Sequence, residues 1–79
     1  MGFRYFKHAE VNMSEREIPR RLVEQAVLRP DLTLDGKKGR RIAHKVVGSK
    51  VLRVVYNSHG KTYIVVIAYY TTLKRYLGQ

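Results

Sequence analysis

Residues 40–70 read RRIAHKVVGSKVLRVVYNSHGKTYIVVIAYY, and this stretch decides the fold. It contains three runs rich in Val, Ile and Tyr, the side chains that suit a pleated and half-buried surface. The runs are separated by Gly48-Ser49 and by residues 57–60, which end in Gly60. Loops of two and four residues that contain glycine are typical of β-hairpins. The stretch therefore predicts three successive antiparallel strands that form a meander.

The two hairpins set which side chains share a face of this meander. With Gly48-Ser49 as a two-residue turn, His44 lies opposite Arg53, and directly opposed residues point to the same face of a sheet. A pairing of Tyr56 with Lys61 extends both faces onto the last strand. The face of His44 then carries Arg40, Ile42, Val46, Val51, Arg53, Val55, Ile64, Val66, Ala68 and Tyr70. The other face carries Arg41, Ala43, Lys45, Leu52, Val54, Tyr56, Tyr63, Val65, Ile67 and Tyr69.

The residues before the meander predict helices that cover it. Residues 3–6 suit an edge strand, and residues 8–16 permit a short helix. A second helix is predicted from Pro19 to about Arg29, because apolar residues recur there at spacings of three and four and Pro30 follows. Leu32 and Leu34 alternate in a brief strand. The order β-α-α-β-β-β-β predicts an α+β fold, two N-terminal helices packed on a mainly antiparallel sheet. Residues 71–79 are expected to form one helical turn or an extended tail, with Tyr76 and Leu77 docking onto the domain.

Length and composition narrow the class of protein. The 79 residues predict one domain, residues 1–79, with a small core. The chain has no cysteine, so no disulfide framework or thiolate metal site is expected. Its longest apolar run, residues 63–70, is too short to span a bilayer, and no signal-like segment follows the start. The three histidines lack the spacing of metal ligands. We therefore expect a cytoplasmic protein without cofactor, metal or membrane, whose oligomeric state the sequence leaves open.

The charge of the chain is unevenly distributed. Residues 1–35 contain six basic and six acidic side chains, whereas residues 36–79 contain ten basic side chains and no acidic one. The formal net charge of +10 therefore comes from the meander and its tail. A basic region with interspersed aromatic residues is typical of proteins that bind phosphates. RNA or another polyanion is the partner that this pattern predicts, and an ordinary basic surface is the alternative.

Cations concentrate in the loop before the meander. Lys37, Lys38, Arg40 and Arg41 surround Gly39, and Lys45 follows on the next strand. Such a loop is either solvated or able to bind a phosphate, and the two interpretations carry equal weight. The spacing of a P-loop is missing.

Motifs along the whole chain resemble a known family. The pattern His8-Ala9-Glu10-x-x-Met13-x-Glu15-Arg16-x-Ile18 precedes a helix that ends in Leu28-Arg29-Pro30. LRVVY at residues 52–56, VVIAYY at residues 65–70 and Tyr76 follow. Together they resemble small basic domains of unknown function related to the RelE/ParE-type toxins. The chain departs from that family at Asn12, where Arg is common, and at Ile67, where Thr is common.

The resemblance implies a fold and a biological setting. It implies a RelE-like fold, in which two helices pack on one face of a curved antiparallel sheet. It also implies a type II toxin-antitoxin system, with ribonuclease activity as the expected chemistry and a cognate antitoxin as the expected partner. His8 is the candidate site residue that the family pattern supports best; capping or packing of a helix start is its alternative role. A toxin that has lost activity but still binds its antitoxin is compatible with the two departures.

The predicted face of His44 offers the groups that RNA cleavage needs. Attack by the 2′-hydroxyl requires a base, an acid and cations that stabilise the charge on phosphorus. We assign His44 as the base, Arg53 and Arg40 as the cations, and Tyr70 as a stacking or proton-transfer group. A neighbouring Arg should lower the pKa of His44 and keep it neutral. The alternatives are a structural strand histidine and, for the whole chain, a module that binds RNA or DNA without cleaving it.

Overall fold

The computed structural model describes residues 2–72 and contains two helices and a five-stranded sheet. The elements are β1 (Gly2–Tyr5), α1 (Lys7–Glu15), α2 (Arg20–Leu28), β2 (Leu32–Asp35), a 3₁₀ turn (Lys37–Gly39), β3 (Arg41–Val47), β4 (Lys50–His59) and β5 (Thr62–Thr72). The strand order is β1-β5-β4-β3-β2, with β1 parallel to β5 and all other neighbours antiparallel. The predicted α+β class is confirmed. The predicted docking of Tyr76 and Leu77 lies outside the described residues.

Both helices use their apolar side chains to cover one face of the sheet. Ala9 and Met13 of α1 are buried, as are three apolar residues of α2. Ile18 lies between the two helices in sequence and is buried; its N–H donates to the carbonyl of Met13, and Pro19 is the N-cap of α2. These residues form one core with the sheet residues Ala43, Leu52, Val54, Tyr56, Val65 and Ala68. Both helices are nine residues long, and within residues 2–72 no helix has the length and apolarity to cross a membrane.

The first hairpin has the predicted register. Val47 pairs with Lys50 and His44 pairs with Arg53 across the Gly48-Ser49 turn. Gly48 has a φ of 63°, a conformation that side chains other than glycine rarely adopt. The glycine in the sequence was therefore a reliable marker of this turn.

The second hairpin differs from the prediction in its turn. Strand β4 continues to His59, which pairs with Thr62, so the connection is the two residues Gly60 and Lys61. The predicted four-residue loop at 57–60 and the pairing of Tyr56 with Lys61 are wrong; Tyr56 pairs with Val65. The positive φ of Gly60, 61°, suits the first position of a two-residue turn. The polar residues before it remain in the strand.

A β-bulge in β5 reverses the predicted faces of its second half. Tyr56 pairs with Val65 but the preceding Val55 pairs with Ile67, which leaves Val66 as the extra residue. Before the bulge, Tyr63, Ile64 and Val65 have the predicted orientations. After it, Ile67 and Tyr69 lie on the face of His44, whereas Ala68 and Tyr70 lie on the helix-covered face. Because side chains alternate along a strand, one extra residue exchanges the faces of all residues beyond it.

Among residues 2–72, neither helix packs on the second face of the sheet, which we call the open face. It carries Leu32, Leu34, Ile42, His44, Val46, Val51, Arg53, Val55, Ile64, Ile67, Tyr69 and Thr71. None of these residues belongs to the core beneath the helices. Leu34 and Val46 are each 40% exposed, but Val51 and His44 are buried. The open face therefore combines apolar side chains with polar and charged ones, and its buried residues include His44 and Val51.

Candidate functional site

The candidate site is the pair formed by His44 and Arg53 on the two strands β3 and β4. Their Cα atoms are directly opposite in the antiparallel ladder. The guanidinium atom Nη1 of Arg53 lies 3.3 Å from Nε2 of His44. His44 is only 5% exposed, and Arg53 is half-buried. The structure thus brings together two of the residues that the sequence assigned to catalysis.

Burial and charge together keep His44 neutral. Loss of solvent lowers the pKa of His44 below its ordinary value, and the nearby charge of Arg53 lowers it further. Guanidinium has donors and no acceptor, so Arg53 must donate to His44. The Nε2 atom is consequently the acceptor, which places the imidazole proton on Nδ1. At neutral pH this histidine is a neutral base whose basic nitrogen, Nε2, contacts a cation.

This contact limits what His44 does before a ligand arrives. A base must accept a proton through the lone pair that Nε2 already shares with Arg53. The Arg53 Nε atom is buried and has no hydrogen-bond partner among residues 2–72. A phosphate that bound the Nη1 end of this guanidinium and drew it away would release Nε2 of His44. The pair is therefore suited to proton abstraction only after an anion has bound.

Tyr70 does not lie beside this pair. It pairs with Leu52 on the helix-covered face, so its assignment to the His44 face is wrong because of the bulge. Tyr69 pairs with Arg53 and lies on the open face instead. The structure therefore replaces Tyr70 with Tyr69 as the tyrosine of the candidate site. The VVIAYY run contains no Gly or Pro that marks the bulge, so its sequence carries no signal for this exchange.

His8 also lies away from the pair. It is exposed in the first turn of α1, and α1 packs on the sheet face opposite to that of His44. The sheet separates the two imidazoles. The structure therefore does not unite His8 with the predicted catalytic group, and its exposed position is compatible with a separate surface role.

The basic loop lies at the end of the β2–β3 hairpin. Lys37 and Lys38 are exposed in the 3₁₀ turn, and Lys38 has a left-handed φ of 58°. The carbonyl of Arg40 accepts from Gly36 N–H at 2.7 Å, which closes the loop. Arg41 begins β3 and is exposed. Three of these cations are thus available to a polyanion, and the half-buried Arg40 precedes the strand.

Lys45 has a structural contact that the sequence did not indicate. It belongs to the helix-covered face, and its Nζ donates to the carbonyl of Arg29 at 3.2 Å. Arg29 follows the last residue of α2, where carbonyls lack helical partners and a cation is favourable. Lys45 therefore stabilises a helix end, and the structure does not place it with His44.

The two departures from the family pattern lie on opposite sides of the sheet. Ile67 pairs with Val55 on the open face, two ladder positions from the pair of Arg53 and Tyr69. Asn12 is in α1, and its Oδ1 atom is buried without a hydrogen-bond partner in the described part of the chain. Only the Ile67 position adjoins the candidate site. It contributes an apolar side chain there, where the family pattern would provide a hydroxyl.

Within residues 2–72, no three His, Asp or Glu side chains are grouped so as to hold a metal ion. Searches with the sequence and the structure found no matching family model, no matching curated protein and no matching solved structure. The relation to the RelE/ParE-type toxins stays a prediction from the sequence motifs.

Proposed function

We propose that this domain is the toxin of a type II toxin-antitoxin pair and cleaves RNA through attack of the RNA's own 2′-hydroxyl. The observation that carries the proposal is the neutral, buried His44 in contact with the Arg53 guanidinium. The acid-free half of the chain, with its ten cations, favours a phosphate-rich substrate. The helices on one face and the open opposite face support a RelE-like arrangement. We propose that the toxin and its antitoxin act in the cytoplasm, where RNA occurs.

The proposed reaction uses three side chains of the open face. Arg53 turns from His44 to the scissile phosphate and stabilises the charge that develops on it. The released Nε2 of His44 takes the proton of the 2′-hydroxyl, whose oxygen attacks phosphorus and expels the 5′-oxygen. In this mechanism Tyr69, which pairs with Arg53 in the ladder, donates a proton to that leaving oxygen or stacks on a base. The products carry a 2′,3′-cyclic phosphate and a free 5′-hydroxyl.

The antitoxin, in this proposal, covers the open face. Leu32, Leu34 and Val46 are about 40% exposed and lie on this face of the neighbouring strands β2 and β3. Apolar side chains grouped in this way are typical of a protein interface. A partner bound there would exclude RNA from His44 and Arg53.

A second function, binding without cleavage, is favoured by the burial of His44. A base must reach the hydroxyl that it deprotonates, and the 5% exposure of His44 leaves little of its surface accessible. The apolar Ile67 near His44 and Arg53 also favours binding without cleavage. In this case the domain binds RNA or DNA through its cations, or is a degenerate toxin that binds only its antitoxin.

Cleavage of a mixed RNA pool by the full-length chain in EDTA distinguishes the two functions. We expect fragments with 2′,3′-cyclic ends, and a loss of roughly 10²–10⁴-fold in rate in His44→Ala. Arg53→Ala should lose activity to a similar extent. His59→Ala and Arg21→Ala are matched controls, because both side chains are exposed and lie outside the site.

Two results would count against the ribonuclease. Unchanged cleavage in folded His44→Ala protein would remove this histidine from the mechanism. Salt-sensitive RNA binding without any cleavage by the folded wild-type chain would support the binding module or the degenerate toxin. Far-ultraviolet circular dichroism establishes that each variant is folded.

A further inference from the structure

A second basic site lies at the end of the sheet where α1 terminates. A cavity of about 370 Å³ is lined there by Arg16, Lys50, Tyr70, Thr71 and Thr72. Arg16 follows the last residue of α1, and Lys50 begins β4 opposite Thr72. The cavity is distinct from the His44–Arg53 pair, because Tyr70 belongs to the helix-covered face of the sheet. Tyr70, which does not lie beside His44 and Arg53, lines this cavity instead.

The groups around this cavity suit a phosphate beside an aromatic base. Lys50 Nζ lies 5.5 Å from the centre of the Tyr70 ring, so a cation and a ring occupy the same wall. Glu15 and Glu17 flank Arg16 in sequence, but neither lines the cavity. In the described part of the chain one salt bridge is formed, between Arg20 and Glu10. Within residues 2–72, Arg16 and Lys50 thus form no salt bridge with a carboxylate.

We propose that this cavity binds one nucleotide of single-stranded RNA, its phosphate between Arg16 and Lys50 and its base against the Tyr70 ring. Its volume falls in the range of small-ligand sites, roughly 300–1,000 Å³. Base–tyrosine stacking and cation–phosphate contacts are the usual means of holding single strands. The proposal rests on the proposed function in taking RNA as the ligand, and it adds a binding position outside the reacting pair.

Nuclear magnetic resonance of the ¹⁵N-labelled full chain locates the ligand. We expect AMP to shift the amide signals of Lys50, Thr71 and Thr72, with smaller effects elsewhere. Ribose 5-phosphate carries the phosphate but no base, so it should bind at least about fivefold more weakly. Shifts confined to another region would overturn the site. Equal affinities for the two compounds would overturn the role of the ring.

Variants test the same site with a longer ligand. In fluorescence anisotropy with a single-stranded RNA, Tyr70→Leu should weaken binding roughly five- to 100-fold, whereas Tyr70→Phe keeps the ring and the affinity. Lys50→Ala should lower the slope of log affinity against log salt by about 0.7. Lys61→Ala removes an exposed hairpin cation and is the matched control. Cavity variants that match this control would overturn the proposal, and Lys50→Ala tests it even if Tyr70→Leu does not fold.

Cleavage assays on these proteins separate this inference from the proposed ribonuclease. A chain that binds AMP in the cavity but never cleaves RNA would support the cavity and contradict the ribonuclease. A chain that cleaves RNA through His44 but shows no AMP shifts and no effect of Lys50→Ala would support the ribonuclease and contradict the cavity.

Discussion

The open face is best tested by two neighbouring valines of β4. Val54 is fully buried on the helix-covered face, and Val55 is half-buried on the open face with His44 and Arg53. Val54 pairs with Ala43 on one side and Ala68 on the other. Both neighbours have only a methyl side chain, so neither can fill the space that Val54→Ala would leave. The two substitutions remove the same atoms from opposite faces.

The expected losses differ because only one substitution opens a cavity. Val54→Ala removes two buried carbons, each worth about 0.8 kcal/mol, so the lost transfer energy is about 1.6 kcal/mol. The cavity left behind raises the expected loss of stability to roughly 2–3 kcal/mol. Val55→Ala loses about half of the transfer energy and leaves no closed cavity, so we expect under about 1 kcal/mol. For a domain of this size, these energies correspond to decreases in Tm of roughly 10–20 °C and about 5 °C.

Thermal unfolding followed by circular dichroism measures both values under the same conditions. Urea denaturation of the two variants gives an independent comparison of the free energies of unfolding. Equal losses would mean that the face of Val55 is packed as tightly as the face beneath the helices. The open face would then not exist as a ligand surface, and the site around His44 and Arg53 would have to be abandoned.

Four further predictions concern the site and the turn that positions it. Tyr69→Phe should lower RNA cleavage by about 10²-fold if its hydroxyl transfers a proton, whereas Tyr63→Phe on the helix-covered face should not change it; equal rates for all three proteins would exclude Tyr69 as the acid. The pKa of His44 is lower in the folded chain than its ordinary value of 6.5, so below about pH 6.5 the unfolded chain binds more protons than the folded chain. The free energy of unfolding, measured with urea, should therefore fall as the pH drops below about 6.5, and His44→Gln should weaken this dependence. Arg53→Gln should raise the pKa of His44 in an NMR titration while burial keeps it below the ordinary value; no change would refute the charge effect. Gly48→Ala, at a φ of 63°, should cost about 1 kcal/mol of stability by urea denaturation, although the space around Gly48 is open.

Local chemistry accounts for the parts of the fold that the sequence predicted. Gly48 marks the first turn, and the alternating apolar residues beside it fix the register that brings His44 opposite Arg53. Pro19 and Pro30 bound the second helix to within about a residue of its observed ends. These features depend on interactions between residues close in sequence, which is why pattern and turn chemistry suffice.

The parts that failed depend on contacts between distant residues. The bulge at Val66 has no local marker, and it moves Tyr69 and Tyr70 to faces opposite to those predicted. Lys45 carries the charge of a phosphate-binding residue, but the end of α2 lies beside it, and its Nζ donates to the carbonyl of Arg29. The depth of His44 likewise follows from how the sheet packs, and no pattern in the HKVV segment indicates it.

The contact between His44 and Arg53 links the two candidate functions. Arg53 lowers the pKa of His44 and also occupies the nitrogen that must accept a proton. In the proposed mechanism, the same guanidinium therefore keeps the base neutral and prevents its use until a phosphate competes for it. If the phosphate also brings a 2′-hydroxyl to the released Nε2, the pair cleaves RNA; if burial keeps the hydroxyl away, the pair only holds the phosphate. Binding and cleavage thus differ by the access of one hydroxyl to one buried atom.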